Sequence, residues 1–296
     1  MAKAVEMSLI KFQKEFRTEE DCASYLSAQK WKDGFQCPRC KHEKYYFIQK
    51  RRLYECQQCA HQTSVTAGTI MHKSKLPLLT WFWAIYLVVH DKRGRSALAL
   101  SDVLEINYRT ALRLLRKIRE AMRAQDANYQ LSGLVEMDDA YFGGRKSGTD
   151  GRGTGKTKVA IALSTDEEGR PRHLRMKVIE KVSIQEIHRV AEECIAKGST
   201  IHSDGHPSYK QLNTMGFHHI SKNYYQEDNE EFLKWLHTVI SNAKAFVEGT
   251  YHGLGSTYLQ TYLDEFCYRF NRRFFVKELF GRLLNACLVS APFAVS

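Results

Sequence analysis

Proline is scarce in this chain, with five residues in 296, and there is neither a low-complexity tract nor an internal repeat. Hydrophobic residues make up 43%, so a sizeable core is available and wholesale disorder is excluded. Long apolar runs are also missing. The most apolar stretch, Leu76 to His90, contains Pro77 and falls short of the ~20 apolar residues of a membrane span. It reads as a buried helix, and no membrane partner is expected. The N-terminus shows no apolar segment of secretory length. Acidic residues are the remaining shortage: 33 Asp and Glu face 44 Lys and Arg, a net charge of +11. The imbalance is uneven, with 23 basic against 13 acidic residues over 1–130 and 21 against 20 over 131–296. A basic first half beside a neutral second half points to a nucleic-acid-binding module joined to a part with another task. A solvated basic surface would show the same charge.

Eight cysteines are present, and four of them form two matched pairs. Cys37 and Cys40 bracket CPRC, Cys56 and Cys59 bracket CQQC, and fifteen residues separate the pairs. Each CxxC turn presents two thiolates, and a structural Zn2+ takes four ligands in a tetrahedron. Disulfides or a redox pair would not explain two matched knuckles. Paired CxxC motifs without a secretory segment lead to an expected cytoplasmic location. Arg39, Lys41, Lys44, Lys50, Arg51 and Arg52 surround the knuckles and suit phosphate contacts.

The periodicity changes along the chain. Residues 1–30 read as helical, with Thr18 and Asp21 at capping-box spacing. Residues 31–75 hold the four-cysteine ribbon. Residues 76–130 are helical again, and Ser96–Arg119 reads as a helix-turn-helix whose second helix carries Arg109, Arg113, Arg116 and Lys117. Such a helix suits the major groove and its flanking phosphates; a basic helix packed on the core is the alternative. From 131 to 296 the pattern is three strands, a helix, a strand and further helices, which is α/β in character. Arg145, Lys146, Arg152 and Lys156 lie in a glycine-rich loop that reads as DNA-contacting. Arg269, Arg272 and Arg273 in CYRFNRRF either face DNA or support helix packing.

Asp138 and Asp139 stand late in the first strand of the second half, and Asp204 ends the fourth. Carboxylates at the ends of neighbouring strands can converge on divalent metals, and two such metals activate a water or a 3′-hydroxyl for attack on a phosphodiester. Strand-end Asp residues also commonly cap the following turn.

Five stretches occur in order: CPRC…CQQC, TSVTAGTIMHKSKLPLLTWFWAIYL, VEMDDAYFGG, SDGHPSY and GTYHGLGSTYLQTYLDEFCYRFNRR. Together they resemble the zinc-ribbon DDE transposases of bacterial insertion sequences, the ISXO-type group, over nearly the whole chain. The resemblance implies an RNase H-like catalytic domain, a mixed sheet flanked by helices, over 131–296. It implies catalytic Asp138 and Asp204, with Asp139 as a neighbouring acid. The third acid of the family is expected on a helix five residues after a histidine. Here that histidine is His237, the matching position is Asn242, and Lys244 follows. The chain thus resembles a DD(N) variant, in which a neutral amide oxygen serves as a metal ligand.

The function implied is metal-dependent cleavage and strand transfer at element ends, with Mg2+ or Mn2+ as catalytic cofactor. Double-stranded DNA is the implied partner, both terminal inverted repeats and target, bound by a homodimer or higher oligomer. The competing readings are a catalytically inactive DNA-binding regulator and a metal-dependent nuclease without joining activity.

The cysteine spacing yields a direct test. The purified chain is expected to hold one zinc per molecule, Cys56→Ser to release it, and chelation to unfold mainly residues 31–65. Full zinc retention by Cys56→Ser would remove the site.

Overall fold

The computed structural model describes residues 7–143, 156–222, 233–251 and 254–293. The chain forms two compact units, one of Met1–Gln125 with Phe275–Ser296 and one of Asp126–Phe274.

In the first unit, α1 (Leu9–Glu15) and α2 (Glu19–Lys30) are separated by a break at Thr18. The Thr18 hydroxyl accepts the Asp21 N–H at 3.2 Å, and the Asp21 carboxylate accepts the Thr18 N–H at 2.8 Å. This reciprocal cap satisfies two orphan donors and starts α2. The ribbon sheet is an antiparallel meander of β1 (Tyr45–Ile48), β2 (Leu53–Cys56) and β3 (Gln62–Thr63). Helix α3 (Leu78–His90) opens after Pro77 and has no cap from its own preceding residue. Glu19 supplies one from α2, accepting the N–H groups of Leu78 and Leu79 at 2.9 and 2.8 Å.

Helix α4 (Ala97–Leu104) is capped by Ser96 and ends at Glu105, which takes the left-handed conformation; α5 (Tyr108–Ala127) follows. These two helices, joined by a short turn, cover the Ser96–Arg119 segment of the sequence reading. Its cations divide. Arg109 and Arg113 are exposed, while Arg116 is half-buried. Lys117 is a correction: its ammonium donates to the Ile70 carbonyl at 3.0 Å, and burial lowers its pKa. A cation so engaged holds two parts of the unit together and is withdrawn from DNA.

A second correction concerns the chain end. The sequence reading assigns everything after residue 130 to one catalytic part, yet the last helix, Leu279–Val289 (α9), belongs to the first unit. Phe280 explains the return. Its ring lies 5.6 Å from Phe12, 5.8 Å from Phe16 and 6.2 Å from Phe82, completing an aromatic cluster.

The second unit is built on a five-stranded sheet in the order β6-β5-β4-β7-β8. The strands are β4 (Leu134–Phe142), β5 (Thr157–Thr165), β6 (Pro171–Ile179), β7 (Thr200–Asp204) and β8 (His218–Lys222). Strands β4, β5 and β6 form an antiparallel meander, and β7 and β8 run parallel to β4. Helix α6 (Ile184–Cys194), capped by Ser183, makes the crossover from β6 to β7. This mixed sheet with flanking helices is the RNase H-like arrangement.

Alternation along β4 sorts its side chains between two layers. Ala140 and Phe142 join Val159, Ile161 and Leu163 under α7 (Lys234–Thr250) and α8 (Ser256–Asn271). Val135 and Met137 join Ala160, Ala162 and Ile201 against the α6 residues Ile187, Val190 and Ala191.

The CYRFNRRF arginines settle on packing. Arg269 pairs with the buried Glu265 at 2.7 Å, and Arg272 with Asp126 at 2.6 Å. Arg273 donates to the carbonyls of Pro171, Arg172 and Phe270. Asn271 adds a bond to Asp126 at 3.0 Å and brackets Leu174 through both its backbone groups. The segment therefore ties the end of α8 to β6 and to the end of α5. Asp126 and Arg272 are nearly buried, with 7% and 11% side-chain exposure, so Asp126→Ala strands an unpaired guanidinium. A loss of about 3–5 kcal/mol is expected in denaturant unfolding of the full chain.

Candidate functional site

The four ribbon cysteines converge. Cys37 Sγ lies 3.7 Å from Cys59 Sγ, Cys40 Sγ lies 3.5 Å from Cys56 Sγ, and all four sulfurs fall within 4.8 Å of one another. Zn–S bonds of about 2.3 Å in a tetrahedron place sulfurs about 3.8 Å apart, so the donor set fits structural zinc. The separations are far beyond a disulfide bond of about 2.05 Å. The two knuckles are built alike. In each, the residue after the second cysteine, Lys41 or Ala60, takes a positive φ and donates its N–H back to the carbonyl of the first cysteine. Trp31, Phe35 and Tyr54 pack around the cluster. The other four cysteines are free and buried.

The second site lies where the carboxyl end of β7 meets the middle of β4. Met137 is paired with Ser203, so the next residues along, Asp138 and Asp204, end up on adjacent strands. Both share the face that carries Ala140 and Phe142, because residues two apart on a strand point the same way. Each carboxylate is held by its own backbone. Asp138 Oδ1 accepts the Asp139 N–H at 2.7 Å, and Asp204 Oδ1 accepts the His206 N–H at 3.1 Å.

Helix α7 covers this face and brings His237 to it. Nε2 of His237 lies 3.4 Å from Oδ2 of Asp138. The hydrogen bond to Asp138 raises the His237 pKa above its usual value, aided by the charges of Asp138 and Glu136 and opposed by burial. Lys244 follows seven residues later, about 20° short of two full turns, and so lies on the same face of the helix. Its ammonium sits 5.9 Å from the centre of the Phe142 ring on β4.

Asn242 is the third correction. Five residues beyond His237 turn the helix by about 500°, so Asn242 stands about 140° around from it, and it is exposed. The structure brings His237 to Asp138, with Asn242 exposed on another face of the helix. The signal for this was present in the sequence as the two-turn spacing of His237 and Lys244.

Two residues near the acids were missed. Glu136 precedes Asp138 by two and shares its face. Burial pushes its pKa up, and the charge of His237 opposes that shift. Tyr209 is fully buried in the opposite layer. Burial and the charges of Asp139, Asp138 and Asp204 push its phenol well above the usual range. Asp139, odd-numbered on β4, points to this second layer and away from the face of Asp138. Of the loop cations, Arg145, Lys146 and Arg152 lie outside the described residues, and Lys156 is half-buried just ahead of β5. No helix among the described residues is long and apolar enough to cross a membrane.

Residues 130–271 match the ISXO2-like transposase domain, and residues 17–62 match the transposase zinc-ribbon domain; together the matches span more than half of the chain. The chain is similar to an uncharacterized protein in transposable element ISH50 of Halobacterium salinarum, 29% identical over 160 residues. The shared region is 53% of this chain and 52% of that protein, so the chain spans about half the length of the relative it matches. Two solved structures show a looser likeness. One is the simian T-cell lymphotropic virus intasome in complex with PP2A regulatory subunit B56 gamma, 12% identical, with a TM-score of 0.31 over 61% of this chain and 66% of that one. The other is the Mos1 strand transfer complex, 12% identical, with a TM-score of 0.29 over 72% and 79%. At these scores the fold rests on the sheet order itself.

The His237–Asp138 contact has a pH signature. A raised folded-state pKa means that its contribution is fully present below the unfolded value of about 6.5 and is lost as pH rises through the folded value. In metal-free protein, Asp138→Asn is expected to lower the His237 titration midpoint, followed by NMR of the imidazole. An unchanged midpoint would mean that the contact does not form in solution.

Proposed function

Since the chain belongs to the ISXO2-like transposases, with their zinc ribbon ahead of an RNase H-like domain, we propose that it cuts insertion-sequence DNA at the element ends and joins the freed ends to target DNA. The observation that carries this reading is the placing of Asp138 and Asp204 on one face of the sheet, at mid-β4 and the end of β7, with His237 of α7 against Asp138. Asp138 and Asp204 would hold a catalytic divalent cation, with His237 Nε2 as a neighbouring donor. Such a cation, when bound, activates a water or 3′-hydroxyl and stabilises the leaving oxygen. Carboxylate oxygens suit Mg2+ and Mn2+ alike, while an imidazole donor favours the softer Mn2+.

The remaining residues would handle the DNA. Lys244, beside Phe142 on the same helix face as His237, would meet a DNA phosphate. Arg109 and Arg113, exposed at the start of α5, would enter the major groove, with Arg116 behind them. Arg145, Lys146, Arg152 and Lys156 would add phosphate contacts from the basic segment that precedes β5 in the sequence. Zinc would hold the ribbon rigid so that its cations keep their spacing. The partner is double-stranded DNA, first the terminal inverted repeats and then the target, bound by a dimer or higher oligomer because two ends must be joined together. A cytoplasmic location accords with reduced ribbon thiols.

Nicking and joining assays on a DNA substrate with the element ends decide between the readings. Asp138→Asn or Asp204→Asn is expected to lower nicking by on the order of 10²–10³ or more, the scale of losing one electrostatic stabiliser of the transition state. His237→Ala should lower it as well and raise the Mn2+ concentration needed, whereas Asn242→Ala should match the parent. Salt should weaken DNA binding steeply, as phosphate contacts release counterions. Metal-independent binding with no nicking by the parent would identify an inactive regulator, and nicking without joined products a nuclease.

A further inference from the structure

The first unit holds a cavity beside the ribbon hairpin. It lies among α2, the strands β1 and β2 and the chain from 64 to 78, and it measures about 500 Å³. Pockets for small organic groups fall between about 300 and 1,000 Å³. Its floor is apolar: Met71 and Trp81 line it, and both are fully buried. Its walls are pinned by hydrogen bonds. The Trp81 indole N–H donates to Ser74 Oγ at 2.9 Å, and the Tyr54 hydroxyl donates to Ser27 Oγ at 2.9 Å. Lys30 Nζ holds the carbonyls of Val65 and Ala67 at 2.8 and 2.6 Å. The space is therefore preformed.

Inside, the lining is polar without net charge. Ser27, Ser64 and Thr66 contribute hydroxyls. Ser27 receives the Tyr54 proton and keeps its own to donate, and Ser64 and Thr66 meet at 3.2 Å through one proton, which leaves the other. Two acids, Glu19 and Glu20, balance two arginines, Arg51 and Arg52, and Arg52 is held by Glu20 at 3.2 Å and Glu19 at 3.9 Å. Apolar faces with hydroxyls at their edges suit an uncharged planar ring with polar edges, and not a phosphate. Outside, the charge is one-sided: residues 39–52 carry Arg39, Lys41, Lys44, Lys50, Arg51 and Arg52 against Glu43 alone. Phe47 joins the two zones. It lines the cavity, is 40% exposed and leans on Tyr54 with ring centres 4.9 Å apart. It stands on β1, the edge strand of its sheet, beside the exposed Tyr46. Exposed aromatic rings flanked by cations are the means by which proteins hold unpaired nucleic acid, since every base offers a face to stack and every nucleotide a phosphate.

We propose that the cavity beside the ribbon receives an unpaired nucleobase of DNA, with Phe47 as the stacking ring at its entrance and Lys50 and Arg51 on the flanking phosphates. A base that is already unpaired costs less to turn out of the helix than a paired one, so the site favours DNA opened at a bulge over an intact duplex. The proposal rests on the transposase reading only in taking DNA as the partner, and it goes beyond that reading in giving the ribbon a preference for opened DNA.

The test uses the full chain with its zinc and two duplexes of one sequence, the first fully paired and the second carrying a single bulged base, at one salt concentration. The parent is expected to bind the bulged duplex about tenfold more tightly, the scale of one stacked base. Phe47→Ala should lose that preference while keeping its zinc and its affinity for the paired duplex, and Phe47→Trp should keep the preference. Ala28→Trp sets an indole into the space from the α2 side and should abolish the preference in the same way. A photoreactive 5-iodouracil as the bulged base should crosslink to Phe47, Tyr54 or Trp81 in the unmutated chain, a readout that stands even where a variant loses its zinc. Equal affinity of the parent for the two duplexes would overturn the proposal, and so would crosslinks confined to residues outside the cavity. A preference lost in Phe47→Ala but kept in zinc-bearing Ala28→Trp would place the base on the surface of β1 and overturn the cavity as its site. A parent that binds the paired duplex without preference counts against this proposal alone, whereas one that binds neither duplex counts against the transposase reading as well.

Discussion

Strand β4 lies in the middle of five strands, antiparallel to β5 on one side and parallel to β7 on the other. Its side chains alternate between two layers, and the register with β7 is pinned by the burial of Val135, Met137 and Ile201 against α6. A slip of one residue would turn those apolar side chains to the other face and with them every acid on the strand. The hydrophobic layers thus decide which carboxylates meet. Asp138 and Asp204 share a face because Met137 opposes Ser203, and Asp139 is sent to the other layer, toward Tyr209. Helix α7 completes the site because its buried residues Leu236, Val239, Ile240 and Ala243 belong to the same cluster as Phe142. Packing that face leaves His237 directed at Asp138.

The chain carries a large excess of positive charge, and several of its cations are engaged with partners inside the units. Arg272 neutralises Asp126, Arg269 neutralises Glu265, and Lys117 satisfies a carbonyl. Lys30 likewise donates to the carbonyls of Val65 and Ala67, at 2.8 and 2.6 Å. In each case a long cationic side chain lays its stem along apolar surface and ends on a buried acceptor. The cations left on the surface, Arg109 and Arg113 among them, are those that a nucleic acid could reach.

Local motifs were legible. The ribbon was readable because a CxxC knuckle is a short, self-contained turn whose two sulfurs are placed by the intervening backbone, and the two knuckles repeat one geometry at Lys41 and Ala60. The cap at Thr18 was readable for the same reason, since it bonds within three residues. The succession of strands and helices in the second half followed from hydrophobic patterning, and Asp138 and Asp204 stood out as acids on apolar strands.

The amino-acid sequence by itself determined the four sulfurs, the helices on either side of residue 106, the succession of strands and helices after residue 130 and the two strand aspartates, all of them features written in residues near one another. Only the tertiary structure decided which residue of α7 reaches Asp138. Counting from a motif led to Asn242, but a helix turns 100° per residue, and its rotation about its own axis is set by the apolar side chains it buries, not by any one polar position. That rotation turns His237 and Lys244 inward and leaves Asn242 exposed. The same holds for the fate of Lys117, for the arginines of CYRFNRRF and for the return of α9 to the first unit. Each depends on a partner, Ile70, Asp126, Glu265 or Phe12, that lies tens to hundreds of residues away or has a pattern no different from an exposed one. Long-range pairing leaves no local trace, and only the packed chain reveals it.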